Sequence, residues 1–277
     1  MKIVFFASEK RREINLARAF LAGAKSHGIE VERRTSNDVP NTTDYHYACM
    51  VGVKSARLWQ LMRARNVIPI MFDKGYCRTK SGGGWSYWRV SVGSHNPSDA
   101  SLSLGYPSDR FFKLGFKVSR SWRSEGKHIV IAGSSAKYHN FHGLMDPSSY
   151  ARWLVREIRK YSDRPIVYRP KPSWRDAEPI RGTVFSQSGL SLNLDLNNAH
   201  ALVTHGSNSC FEAALCGVPS IVTGNGVMKL VSSNRIEEIE NPLRGLRYPV
   251  FHALAYHQWT LAEMESGEAF ETIKRQL

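Results

Sequence analysis

The residues best spaced for chemistry stand in one stretch, Val203-Thr204-His205-Gly206-Ser207-Asn208-Ser209-Cys210-Phe211-Glu212-Ala213-Ala214-Leu215-Cys216-Gly217-Val218-Pro219-Ser220-Ile221-Val222. It reads as a strand, a polar turn, a helix, a Gly-Val-Pro turn and a second strand. Small residues at 206, 207 and 209 let a phosphate approach backbone amides at the start of the helix, where the helix dipole favours negative charge. Glu212 falls one helical turn beyond Asn208, placed to accept hydrogen bonds from a ribose diol. The chemistry implied is capture of a nucleotide diphosphate. A plainer reading also fits: serines that only cap the helix, and a solvated Glu212.

Two further groups extend that reading. Arg169 and Lys171 flank Pro170 just past an apolar run, where fixed cations suit the developing charge of a diphosphate leaving group. Gly133-Ser134-Ser135 and Lys137 follow another such run and are expected to line the same donor site.

Acceptor chemistry needs a base. Asp73 directly follows Val67–Phe72, which puts it at the carboxyl edge of a sheet, where α/β proteins bind ligands. It is the first candidate to take a proton from an acceptor hydroxyl, with Glu9 and His95 behind it. A turn aspartate beside Gly75 is an equal reading, and in a retaining reaction Asp73 would only orient the acceptor. Between 74 and 89, Lys74, Arg78, Lys80 and Arg89 alternate with Tyr76, Trp85, Tyr87 and Trp88. Cations interleaved with rings suit a DNA backbone and an unstacked base, and Lys74, Tyr76, Arg78, Trp85, Trp88 and Arg89 are the expected acceptor contacts. If 87–92 is a strand, one of its aromatics belongs to the core instead.

The elements that must position these groups alternate strand and helix twice. Strands are expected at 3–7, 29–33, 48–53 and 67–72, with helices at 11–27 and 56–65 carrying Leu16, Phe20, Leu58 and Met62 at helical spacing. A second alternation starts at His128. Asp146-Pro147 there has the form of an N-cap followed by proline at the first helical position. Such alternation predicts parallel α/β layers, here two Rossmann-like domains facing each other across a cleft. The expected division is 1–115 on the acceptor side and 127–249 on the donor side. Residues 250–277 are expected to be helices packing across the junction, with one helix over 250–265 burying Trp259.

The chain has 277 residues and a formal net charge of +14, a surface that attracts polyanions. Cys49, Cys77, Cys210 and Cys216 form no CxxC pair, so neither a zinc ribbon nor a disulfide framework is expected, and a cytoplasmic setting fits. No HExxH or comparable histidine motif suggests a metal. No apolar run is long enough for a membrane span. The absence of G-x-x-x-x-G-K-[ST], G-x-S-x-G and a strand-linked G-x-G-x-x-G leaves a P-loop kinase, a hydrolase elbow and a dinucleotide fingerprint unsupported.

Thr204-His205-Gly206-Ser207 followed by Glu212-Ala213 and Gly217-Val218-Pro219 resembles the donor-binding element of GT-B glycosyltransferases. Asp73-Lys74-Gly75-Tyr76, Tyr87 to Val92, His95-Asn96-Pro97, Tyr168 to Pro172 and Leu254 to Glu268 resemble small bacteriophage-type glycosyltransferase-like proteins over most of the chain. The resemblance implies a nucleotide-diphosphate sugar as co-substrate, UDP being the expected nucleotide. Ser207, Asn208 and Ser209 would then face the diphosphate, with His205 beside them, and Glu212 the ribose. It also implies sugar transfer to a hydroxymethylated pyrimidine in phage DNA. Two rivals stand beside that reading: a polysaccharide or lipid-linked sugar transferase at a membrane face, and a non-catalytic DNA-binding protein on the same scaffold.

Overall fold

The computed structural model describes residues 1–36, 38, 39, 43–76, 80, 81, 84, 85, 87–119, 121–187 and 189–277, the side chains of 80, 81 and 85 excepted. The chain divides into two compact units, Met1–Leu114 with Phe251–Leu277, and Gly115–Val250.

The first unit opens with β1 (Lys2–Ala7), α1 (Arg11–Ser26), β2 (Glu30–Thr35), β3 (Tyr47–Val51), α2 (Ala56–Ala64) and β4 (Ile68–Lys74). A short hairpin, β5 (Lys80–Ser81) with β6 (Gly84–Trp85), precedes β7 (Trp88–Val92), α3 (Asp99–Leu102) and α4 (Asp109–Lys113). β1 to β4 run parallel, and β7 adds antiparallel to β4. β1 is apolar and buried from Ile3 to Ala7 because it is covered on both faces, as a central parallel strand must be. Phe5, Phe72 and Phe20 of α1 meet on one face, with ring centroids 5.1 Å (Phe5–Phe72) and 4.9 Å (Phe20–Phe72) apart. Phe6 turns to the opposite face and meets Tyr45.

The second unit contains β8 (His128–Ala132), α5 (Ala136–Phe141), α6 (Pro147–Ile158), β9 (Ile166–Arg169), β10 (Val184–Phe185), α7 (Leu192–Leu196), β11 (Ala199–Thr204), α8 (Ser209–Leu215) and β12 (Ser220–Val222). Its sheet is wholly parallel, in the order β10-β9-β8-β11-β12. Asp146 caps α6 by accepting from the Ser149 amide at 3.0 Å, with Pro147 in the first turn.

The chain then enters α9 (Arg247–Ala255), whose residues from Phe251 onward belong to the first unit. The single helix expected over 250–265 is broken into three pieces. After α9, Gln258–Trp259 form β13, which pairs antiparallel with Arg89 and Trp88 of β7 and completes the first sheet as β13-β7-β4-β3-β1-β2. α10 (Leu261–Glu265) starts afresh because Thr260 and Glu263 form a reciprocal capping box, and α11 (Glu268–Lys274) follows. Trp259 is buried in the first unit, with the Arg110 guanidinium 3.9 Å from its ring centroid. Gly23 lets α10 lie against α1: a Cβ there would fall 2.0 Å from the Met264 carbonyl oxygen.

Candidate functional site

In an open parallel sheet, a crevice forms where two neighbouring strands send their connections to opposite sides. Each unit has one such point. In the second unit it lies between β8 and β11, because the chain leaves β8 for β9 on one flank and later returns to β11 on the other. Thr204 at the end of β11 donates from Oγ1 to the Ala132 carbonyl of β8 at 3.0 Å, and accepts from the Ser207 amide at 3.2 Å. One hydroxyl thus ties the two strand ends together and starts the turn.

The sequence-predicted donor residues flank this point. Ser134 and Ser135 follow β8, and Ser135 caps α5 by accepting from the Tyr138 amide at 3.4 Å. His205, Ser207 and Asn208 follow β11, Ser209 opens α8, and Glu212 lies half-buried in the first turn of that helix. The turn is tightened by the Ser209 amide donating to Ser207 Oγ at 3.3 Å. α8 has only seven residues, so its field at the N-terminus is weaker than that of a long helix.

Sequence reasoning missed the aromatic lining. Tyr138 Oη lies 3.0 Å from His205 Nδ1, and Tyr150 Oη lies 2.7 Å from Thr223 Oγ1. Burial, and then the neighbouring His139, push His205 down to about 4, so its ring is neutral near pH 7. Gly206 is required by this packing: a Cβ would stand 2.6 Å from Tyr138 Oη and 3.0 Å from the Asn225 carbonyl oxygen. The signal in the sequence was the helical spacing that follows Ser135, which puts Tyr138 one turn inside α5.

The three predicted donor cations are not placed alike. Arg169 is committed to its own unit: Nη1 donates to Asp195 Oδ2 at 2.6 Å and to Ser186 Oγ at 3.3 Å, and Nη2 donates to the Leu190 carbonyl at 2.6 Å. It fastens the end of β9 to α7, a correction to its reading as a cation held ready for a leaving group. Lys171 and Lys137 are exposed.

The switch point of the first unit lies between β1 and β3. Glu13, buried in the first turn of α1, bridges it. Its Oε2 accepts from the Ser8 amide at 3.1 Å and the Ser8 hydroxyl at 2.7 Å, while Oε1 pairs with Lys54 just past β3. Burial pushes the Glu13 carboxyl up, but the Lys54 and Ser8 hydrogen bonds outweigh it and hold it below the usual range. Neither Glu13 nor Lys54 was foreseen. A carboxylate one turn into the helix that follows a strand and a serine loop was the available sign.

Asp73 stands within β4, opposite Arg89 of β7, not in the turn after the strand. Arg89 is buried and donates from Nη1 to Asn96 Oδ1 at 2.7 Å, and from Nη2 to Asp73 Oδ2 at 3.4 Å and His95 Nε2 at 2.5 Å. His95 Nε2 is itself 3.6 Å from Asp73 Oδ2. Burial would raise the Asp73 carboxyl, but Arg89, His95 and the Lys74 amide together hold it far below the usual carboxylate range. A carboxylate so stabilised is a weak base at neutral pH, so the arrangement suits a positioning role better. Glu9 is exposed in the loop after β1.

The expected acceptor platform is corrected in its rings. Tyr76 and Trp88 are buried, Trp88 in the core beneath the guanidinium of Arg12, which lies 4.1 Å from its ring centroid. Alternation along β7 puts the Trp88 ring with Val90 on the core face, so it presents no stacking face, and Arg89 on the other face is consumed by its own network. Lys74 is exposed. Arg78 and the Trp85 side chain lie outside the described residues. Among the described residues no three histidine, cysteine or acidic side chains are grouped to hold a metal, and no helix is long and apolar enough to cross a membrane.

Two α/β units, one with a mainly and one with a wholly parallel sheet, match the fold of solved GT-B glycosyltransferases. The beta Kdo 2,4 transferase of Thermosulfurimonas dismutans KpsC is similar to this chain over 94% of its length and 92% of the transferase, with a TM-score of 0.56 and 12% identity. The beta Kdo 2,7 transferase of the same KpsC is similar over 100% of this chain and 99% of that one, with a TM-score of 0.54 and 14% identity. At such identities the likeness is one of fold alone. No family model and no curated protein sequence matches the chain.

Proposed function

We propose that this protein transfers a sugar from a nucleotide-diphosphate donor, seated at the switch point of the second unit, to an anionic acceptor bound by the first. The observation that carries the reading is the convergence of Ser134, Ser135, His205, Ser207, Asn208, Ser209 and Glu212 on the carboxyl ends of β8 and β11. With Arg169 engaged by Asp195, the diphosphate would be held by hydroxyls and turn amides, with Lys171 and Lys137 as exposed cations nearby in sequence. Glu212 would accept from the ribose diol, and UDP is the nucleotide we would try first. The proton of the acceptor hydroxyl would pass to a base in the first unit. The Asp73–His95 pair bonded to Arg89 orients that end, and Glu9 is the exposed carboxylate closest in sequence to the switch point.

The net charge of +14 supports an anionic acceptor. Hydroxymethylated DNA keeps that support but loses the stacking platform, since Tyr76 and Trp88 are buried. The KpsC structures are named as Kdo transferases, and transfer to a polysaccharide or lipid-linked sugar at a membrane face is the alternative to set beside it.

The test is calorimetric titration of the protein with UDP and UDP-sugars, followed by a transfer assay offering hydroxymethylated DNA and an acidic oligosaccharide. Glu212→Ala should weaken nucleotide binding by about tenfold, the scale of one or two lost charge-assisted hydrogen bonds. Unchanged affinity in that variant would remove Glu212 from the donor site.

A further inference from the structure

A concavity of about 620 Å³, within the range of small-molecule sites, belongs to the first unit and reaches its switch point. Glu13 of α1 and Lys54, just past β3, line it there, and Leu58 and Leu61 of α2 add apolar surface. The charged groups of the lining answer one another. Lys54 pairs with Glu13, and the Arg65 guanidinium bonds the Tyr45 hydroxyl. Arg57 is exposed at the rim. What the wall offers a ligand is therefore a set of hydrogen bonds and no surplus charge. Burial pushes the Glu13 carboxyl up, but Lys54 and Ser8 hold it below the usual range, so it stays ionised at neutral pH and only accepts. Its Oε2 is taken by the Ser8 amide and hydroxyl. Its Oε1 accepts from Lys54 and keeps a second lone pair. The ammonium has three N–H groups and gives one of them to Oε1. An acceptor and a donor thus stand side by side in one wall.

We infer that this cavity holds an uncharged sugar unit of the acceptor, with a vicinal diol on Glu13 and Lys54 and the C–H face of the ring on Leu58 and Leu61. A vicinal diol is the group that uses the acceptor and the donor together. One hydroxyl donates to Oε1 while its neighbour accepts from Nζ, and the ion pair stays intact. A lone hydroxyl satisfies half of that set. An anion would set its charge beside the enclosed Glu13 carboxylate, and a cation would set its charge beside Lys54. A purely apolar ligand would desolvate both groups without replacing the hydrogen bonds of water. A pyranose carries the diol and the apolar face in one ring. The position agrees, because open α/β sheets bind ligands at a switch point and Glu13 bridges the ends of β1 and β3 there. The inference rests on the glycosyltransferase reading only in taking this sugar as part of the acceptor. Any anionic part of the acceptor then lies outside the cavity, beyond the rim marked by Arg57.

The experiment applies saturation-transfer NMR to the intact protein with the methyl glycosides of mannose, glucose and galactose, and with cyclohexanol and glucose 6-phosphate for comparison. At least one glycoside should bind with a dissociation constant of order 1–10 mM, about equally at low and at physiological salt, because no net charge meets the wall. Cyclohexanol, a ring with one hydroxyl, should bind at least about fivefold less well. Lys54→Met should weaken the glycoside by about tenfold, and Leu61→Trp should abolish its binding by filling the cavity. Both variants should melt within a few degrees of the parent, because Lys54 is largely exposed and Leu61 borders open space. If Leu61→Trp fails to fold, Lys54→Met and cyclohexanol still decide the matter. No glycoside binding up to about 50 mM, equal binding of cyclohexanol, full binding in Lys54→Met, or tighter and salt-sensitive binding of glucose 6-phosphate would overturn the inference. UDP titration keeps the two proposals apart. Retained UDP binding in Leu61→Trp with lost glycoside binding supports this site. A parent protein that binds a glycoside but not UDP defeats the donor reading and leaves this site standing.

Discussion

The carboxyl edges of the two sheets use different chemistry for the same topological task. At the edge of the first sheet the contacts are charged: Glu13 with Lys54, and Asp73 with Arg89 and His95. At the switch point of the second they are neutral: Thr204 with a carbonyl, Tyr138 with an imidazole pushed down to about 4, and Tyr150 with Thr223. The ion pair of Arg169 with Asp195 lies a strand away and fastens β9 to α7. A charged edge is held by pairs that fail when one member is removed. A neutral edge is held by close packing and by hydrogen bonds that protonation disrupts. The difference suits the proposed division of labour. Neutral hydroxyls and amides can receive an anionic donor without displacing a counter-charge, whereas the first unit presents exposed cations such as Arg57 and Lys74.

The largest expected effect breaks the charged edge at its centre. Arg89→Ala would strand the partly buried Asp73 carboxylate and leave Asn96 and His95 without their shared donor. The expected loss is about 3–5 kcal/mol, the range for removing one member of a buried ionic network. Urea unfolding monitored by circular dichroism measures it. A loss below about 1 kcal/mol would mean that the network contributes specificity of arrangement and little stability.

Next in size is a pH effect with one contributor in each unit. His205 in the second and His257 in the first are both pushed down to about 4, chiefly by burial. His257 is fully enclosed, its Nδ1 facing the Ala253 carbonyl at 2.8 Å and its Nε2 facing Ser101 Oγ at 2.6 Å. The unfolded chain binds a proton at each imidazole near pH 6.5, before the folded chain does. Stability is therefore complete above about pH 6.5 and falls as pH drops toward 4, by at most about 3 kcal/mol per histidine and by less at the partly exposed His205. Thermal melts between pH 7 and pH 4 should show this slope, reduced in His257→Asn and, more modestly, in His205→Asn. A slope that both variants leave untouched would assign the acid loss to carboxylates such as Asp73, whose depressed carboxyl loses its contribution only as pH falls below about 4.

Much of the scaffold was legible because its signals are local. β12 stands where its apolar run ends, α6 starts at the Asp146-Pro147 pair, and the turn between β11 and α8 follows from its small residues. What escaped depended on partners distant in sequence. β13 forms only because β7 offers a free edge, so Gln258–Trp259 read as helix until the pairing with Arg89 and Trp88 is known. The same pairing buries Trp88, which composition alone would place at a nucleic-acid surface. Arg169 looked available because Asp195, 26 residues on, is brought to it by α7. Glu13 and Lys54 are 41 residues apart and meet only because β1 and β3 are neighbours in the sheet.

The smallest effect tests how far that last pair resembles the Arg89 network. Lys54 is the more exposed partner, with 42% of its side chain accessible against 8% for Glu13. Lys54→Met should therefore cost less than loss of Arg89, about 1 kcal/mol, because solvent can partly replace the ammonium and Ser8 still donates twice to the carboxylate. Glu13→Gln alone should cost a similar amount, since one carboxylate oxygen becomes an amide facing Lys54 and Ser8. If the pair acts as a unit, the double variant should lose less than the sum of the single losses, with a coupling of about 0.5–1 kcal/mol. Additive losses would make Lys54 a surface cation in contact with Glu13 but not coupled to it, and the first sheet's switch point would then be held by Ser8 alone.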